Sequence, residues 1–156
     1  MKTALAFLAS VTIALSGCGS SGSSKTSQPS PQQSDNAQRD VGYLRALNQI
    51  MAPFTKPPAS LTDYASAERV VRKAIADLGL LVAPTPFAPS QAQLVAALRA
   101  QAALAPRMAH AAAARDAAAL NNLEARMLTA ETGVRAATRE AVDAYNRCRA
   151  TKFRSC

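Results

Sequence analysis

The sequence predicts an all-α fold, a small antiparallel bundle of three to four helices over residues 37–156. Three observations carry that expectation. Leu120, Met127, Val134, Ala141 and Cys148 recur every seven residues, with Leu123, Ala130, Ala137 and Ala144 at the second seam position; this is the apolar heptad of a bundle or coiled coil. No stretch beyond residue 36 alternates apolar and polar side chains as a half-buried strand does. Prolines and capping residues divide the remainder into helix-length segments.

The first helix is expected from about Asn36 to Met51. Tyr43, Leu47, Ile50 and Phe54 follow the three- and four-residue spacing of one helix face. Asp35 with Gln38 offers a capping-box start, Pro53 enforces a stop, and Pro57-Pro58 make residues 55–59 an extended connector. A second helix is expected from about Thr62 to Leu78, capped by Ser60 or Thr62. Tyr64, Ala67, Val71, Ile75 and Leu78 form its apolar stripe, and Glu68 with Arg72 is a favourable pair on its other side. Gly79 is the expected left-handed terminator, with Leu80 closing back on the last turn. Pro84, Pro86 and Pro89 mark residues 82–89 as a second extended strap.

Ser90 with Gln93 reads as a capping box opening a third helix with Leu94, Leu98 and Leu104 on its inner face. Pro106 either kinks this helix or divides it. A kinked helix running to about Ala114 is the reading favoured, because no Gly or Asn marks a turn at that point. Arg115-Asp116 is the expected break, with Asp116 as N-cap of the fourth helix; one continuous helix through the alanine run is the alternative.

The seam of the fourth helix passes from large residues to alanines, so a partner helix can approach closely toward the C-terminus. Gly133 inside it costs about 1 kcal/mol against Ala. Alanine favours helix but contributes little burial. The bundle is therefore expected to be highly helical, only modestly stable, and to gain from pairing with another copy or another protein.

Residues 1–17 carry the parts of a secretory signal. Met1 and Lys2 supply a positive end, and Ala4 to Leu15 an apolar core of about 12 residues, well short of the roughly 20 that a spanning helix needs. The core ends in Leu15-Ser16-Gly17-Cys18, which resembles the lipobox of bacterial lipoproteins at all four positions. The resemblance implies cleavage between Gly17 and Cys18 and acylation of Cys18, with chains of the palmitate class. A cysteine thiolate is the nucleophile suited to forming the thioether, and two or more acyl chains hold a protein stably on a membrane. The rival reading is an ordinary secretory signal in which Cys18 is incidental. Residues 18–36 are then the lipidated cysteine and a tether of Ser, Gly, Gln and Pro, too poor in apolar residues to order itself.

Gly19 lacks the Asp that marks inner-membrane retention in Gram-negative lipoproteins. The expected location is therefore the outer membrane where one exists, and otherwise the outer face of the plasma membrane. Residues 84–156 also loosely resemble small alanine-rich exported helical proteins of GC-rich bacteria, a likeness of composition that carries no active site.

With Cys18 acylated, Cys148 and Cys156 remain, an even pair in an exported chain. Eight residues of continuous helix would hold them about 12 Å apart, and a bridge needs Cα atoms within about 7 Å. An intrachain disulfide thus requires the chain to fold back through Thr151 to Ser155. Two free thiols or a disulfide-linked dimer are the alternatives.

Without Lys2 the chain holds 17 basic and 10 acidic residues. The excess lies late, and Arg147, Arg149, Lys152 and Arg154 are the candidate contacts for an anionic polymer or lipid. Nucleic acid is not an expected partner outside the cytosol. The plainer reading is a solvated helix end whose cations suit the helix dipole.

His110, the one histidine, has no converging ligands in the sequence, so no metal is expected. Glu124, Glu131, Glu140 and Asp143 lack the Glu-x-x-His companion of a di-iron bundle. Glu131 with Arg135 and Asp143 with Arg147 read as surface pairs. No phosphate loop, nucleophile elbow or Cys-His dyad appears, so no catalytic residues, no cofactor and no enzymatic activity are expected. The expectation is a membrane-anchored envelope lipoprotein, held by the lipid on Cys18. Its bundle is a structural or protein-interaction module, with an envelope protein or another copy as partner. The alternative is a ligand-binding lipoprotein for an anionic envelope polymer or lipid, or for a small apolar molecule.

Overall fold

The computed structural model describes residues 31–55 and 64–153. Four helices follow one another: α1 Pro31–Met51, α2 Tyr64–Leu80, α3 Ala88–Ala113 and α4 Ala117–Ala150. Short 3-10 turns at Ala52–Thr55 and Thr85–Phe87 lie after α1 and before α3. There is no strand among the described residues, and the helices pack as a bundle with α3 at its centre, against α2 on one side and α4 on the other.

The apolar spacing of α1 places Tyr43, Leu44 and Leu47 in the core, with Ile50 and Phe54 packed at its edge. The helix begins at Pro31, five residues before Asn36, so Asp35 and Gln38 lie inside it and cap nothing. A tertiary contact holds this early part. The Asn36 side-chain amide donates to the Phe153 carbonyl at 3.4 Å.

The end of α2 departs from expectation. Gly79 is helical, no described glycine has positive φ, and Leu80 does not close back on the helix but stands 85 % exposed. The helix runs through Gly79 to Leu80, and a side chain of α3 bonds the carbonyls at its end. Gln91 Nε2, from α3, donates to the carbonyl oxygens of both Leu78 and Leu81 at 2.9 Å. The expected caps Ser60 and Thr62 lie outside the described residues, as does the connector through Pro57-Pro58. Glu68 and Arg72 do pair, at 2.7 Å.

Residues 82–89 are an extended strap only as far as Pro84; Thr85–Phe87 is a 3-10 turn. It leads directly into α3, whose N-cap is Phe87 and whose second residue is Pro89. Ser90 is thus inside the helix and is not its cap. Its buried hydroxyl donates back to the Phe87 carbonyl at 2.9 Å. Phe87 itself is fully buried and stacks on Tyr43, ring centroids 4.8 Å apart.

α3 runs through Pro106 as one helix. It ends at the Arg115-Asp116 junction, where Arg115 takes φ 55° and Asp116 Oδ1 accepts the Ala119 N–H at 2.9 Å. The N-cap side chain supplies an acceptor that the first turn lacks.

Every heptad seam residue of α4 is buried except Leu120, which is half-buried. The buried face is one position wider than the heptad, taking in Glu131 and Thr138, as expected of a helix in a globular bundle. Glu131 is therefore no surface residue. It is 8 % exposed, and its nearest contact to Arg135 is a loose 3.9 Å. Asp143 and Arg147, also expected to pair, form no ion pair among the described residues.

Candidate functional site: the basic end of the bundle

Antiparallel packing gathers four helix termini at one end. Gln91 ties the start of α3 to the end of α2. Gly133 of α4 sits against Ala97 of α3, so the two helices run in opposite directions and the C-terminus of α4 shares that end. The Asn36 to Phe153 bond adds the start of α1. The turn between α3 and α4 and the exposed His110 lie at the other end.

The last turn of α4 presents Arg147 and Arg149, and the turn after it presents Lys152, all exposed. Arg154, the fourth candidate cation, lies outside the described residues. Between these cations Cys148 points inward and is 2 % exposed. The chain then reverses. Thr151 Oγ1 and the Phe153 N–H both donate to the Cys148 carbonyl, at 3.0 and 2.8 Å. Lys152 and Phe153 take φ of 51° and 57°, left-handed conformations that cost a non-glycine residue free energy. The Phe153 ring leans on Tyr145 with centroids 6.0 Å apart. Cys156 lies outside the described residues, as do Gly17 and Cys18.

Two features of this end were not anticipated from the sequence. One is apolar. Where α2 gives way to the strap, Leu81 and Ala83 pack against the core, while Leu80, the last residue of the helix, and Val82 are 85 % and 88 % exposed. The apolar run Leu80-Leu81-Val82-Ala83 was the signal in the sequence. The other is a buried acid. Asp40 is 0 % exposed, with Oδ1 at 3.4 Å from Arg39 and Oδ2 without a hydrogen-bond partner. Its position, three before Tyr43 and seven before Leu47, places it on the inner face. Burial pushes the Asp40 carboxyl up, and the neighbouring Arg39 partly offsets this.

Two other groups share that strain. Burial pushes the Tyr43 hydroxyl up to about 12, and it too has no partner. Burial likewise raises Glu131, against a smaller opposing effect of Arg135. These groups lie within helix packing rather than in a cleft. Among the described residues no three His, Cys, Asp or Glu side chains converge as a metal site would require. A shallow groove of about 390 Å³ runs between α2 and α3, floored by Ile75, Ala76, Ala102 and Ala103 and rimmed by Arg72 and Arg99. It is open to solvent and is not the enclosed pocket that a small apolar ligand favours.

Among the described residues no helix is long and apolar enough to cross a membrane. No family model matches the chain, and no curated protein and no solved structure matches it.

Proposed function

We propose that the protein is a membrane-anchored lipoprotein of the cell envelope whose helical bundle is a non-enzymatic structural or protein-interaction module. The observation that carries this reading is Leu15-Ser16-Gly17-Cys18 at the end of a short apolar run behind Met1-Lys2. Cleavage before Cys18 and acylation of its sulfur hold the chain on the outer face of the plasma membrane, or on the outer membrane where the host has one. The residues between Cys18 and Pro31 link that anchor to α1.

The same reading pairs Cys148 with Cys156 in an oxidising compartment. The reversal at Thr151–Phe153 supports it. Had α4 continued, the two cysteines would stand about 12 Å apart; a strained turn at Thr151–Phe153, held by two bonds to the Cys148 carbonyl, instead ends the helix.

An interaction role fits the construction of the bundle. α4 is a 34-residue helix, long for its domain, and offers an extended outer surface. Crosslinking in intact cells followed by purification of the tagged protein tests the role. One envelope protein, or a second copy, should be recovered in stoichiometric yield through bundle residues. Absence of any protein crosslink, with specific retention of an anionic polymer or an apolar small molecule, would instead identify a ligand-binding lipoprotein.

A further inference from the structure

We propose that the basic end of the bundle docks flat on an anionic bilayer, with Leu80 and Val82 entering the headgroup region and Arg147, Arg149 and Lys152 meeting lipid phosphates. The proposal rests on the anchored reading only where it uses the position of the tether.

Leu80 and Val82 are the most exposed large apolar side chains described, and they are held, not loose. Leu81 and Ala83 are packed beneath them, and Gln91 bonds the carbonyls on either side of Leu80. A rigid turn that presents two aliphatic side chains to water leaves their transfer free energy available to whatever covers them.

Charge selects the occupant. The last 13 residues, from Ala144 to Cys156, contain Arg147, Arg149, Lys152 and Arg154 and no acid. Nearby acids take back part of that excess. Asp35 and Asp143 are exposed, Asp77 is bound to Lys73 at 2.8 Å, and Asp40 is buried beside Arg39. Cations at the same end as two exposed aliphatic side chains match an anionic lipid surface, where charge attraction and shallow insertion act together. A soluble polyanion would leave Leu80 and Val82 uncovered.

The entry of the tether fits as well. Pro31 opens α1 at this same end, and the 12 residues from Gly19 to Ser30 reach at most about 40 Å when extended. An anchor on Cys18 therefore keeps the basic, apolar-tipped end within about 40 Å of the bilayer.

The test places a benzophenone amino acid at position 82, or at the far-end position 110, in the full chain. The proteins are irradiated on vesicles of phosphatidylcholine with or without one-third phosphatidylglycerol, and lipid adducts are read by mass. Position 82 should form at least about tenfold more lipid adduct than position 110. That excess should require phosphatidylglycerol and fall severalfold when Arg147, Arg149 and Lys152 are changed to Gln. Equal yields at the two positions, or yields indifferent to phosphatidylglycerol, would overturn the proposal. Cys18→Ser separates the two readings. In that variant, which cannot be acylated, true docking still gives the 82-to-110 contrast; with false docking the acylated chain stays on vesicles with no contrast and Cys18→Ser leaves them.

Discussion

The ring of Tyr43 stacks on that of Phe87 with centroids 4.8 Å apart, and this contact fastens α1 to the turn that opens α3. Both residues are buried, yet the Tyr43 hydroxyl has no hydrogen-bond partner. The ring therefore supplies the packing, and the hydroxyl only costs desolvation. Tyr43→Phe should leave stability unchanged or raise it by up to about 1 kcal/mol, whereas Phe87→Ala should lower it by about 3–5 kcal/mol. Urea unfolding followed by circular dichroism measures both; a large loss in Tyr43→Phe would mean that the hydroxyl is bonded in solution.

The buried acids set a pH dependence. The folded chain holds the Asp40 proton above its ordinary value of 3.8, chiefly through burial, and Glu131 is raised for the same reason. Folded protein therefore binds more protons than unfolded protein in the range above the ordinary carboxyl values. Stability should fall as pH rises through the raised values, and the penalty should vanish below the ordinary ones. Asp40→Asn should be more stable than the parent at pH 7, by about 1 kcal/mol, and the advantage should shrink toward pH 4. Unfolding curves at the two pH values check this, and an advantage that grows as pH falls would contradict it.

A Cβ on Gly133 would lie 3.2 Å from the Ala97 Cβ, so the glycine lets α3 and α4 approach closely. Gly133→Ala sets a gain in helix propensity of about 1 kcal/mol against that tight contact, and should change stability little. Gly133→Leu cannot be accommodated without separating the helices and should cost about 1–3 kcal/mol or more. Thermal unfolding distinguishes the two, and Ala97→Gly should recover part of the loss in Gly133→Leu.

The sequence was most legible where apolar spacing and helix punctuation agreed. The heptad from Leu120 to Cys148 became the buried seam of α4. Asp116 became its N-cap, and Pro106 bent to the helical reading because nothing nearby offered a turn. Local rules failed where a distant residue took over their work. Gly79 does not terminate α2; the helix runs one residue further, and Gln91, ten or more positions away, bonds the Leu78 and Leu81 carbonyls at its end. Ser90 caps nothing because Phe87 and Pro89 begin the helix earlier. Glu131 looked like half of a surface pair because a two-position heptad leaves its position outside the seam; in the bundle the buried face of α4 is one position wider. Of the basic end, the cations were visible in the sequence, whereas the exposure of Leu80 and Val82 depended on where the strap leaves the core.

Mass measurement under non-reducing conditions tests the proposed Cys148–Cys156 bridge. The exported monomer should be lighter by two hydrogens and resist alkylation at both positions. Reduction should then lower stability by about 2–3 kcal/mol, the constraint expected of so short a loop. Full alkylation without reductant would contradict the pairing.

The central claim, that Cys18 anchors the chain, is tested most directly by the intact mass of protein taken from the membrane fraction. That protein should begin at Cys18 and carry diacylglyceryl on its sulfur, and Cys18→Ala should release it into the soluble fraction. An unmodified Cys18, or a Cys18→Ala protein that stays on the membrane in unchanged form, would contradict the claim.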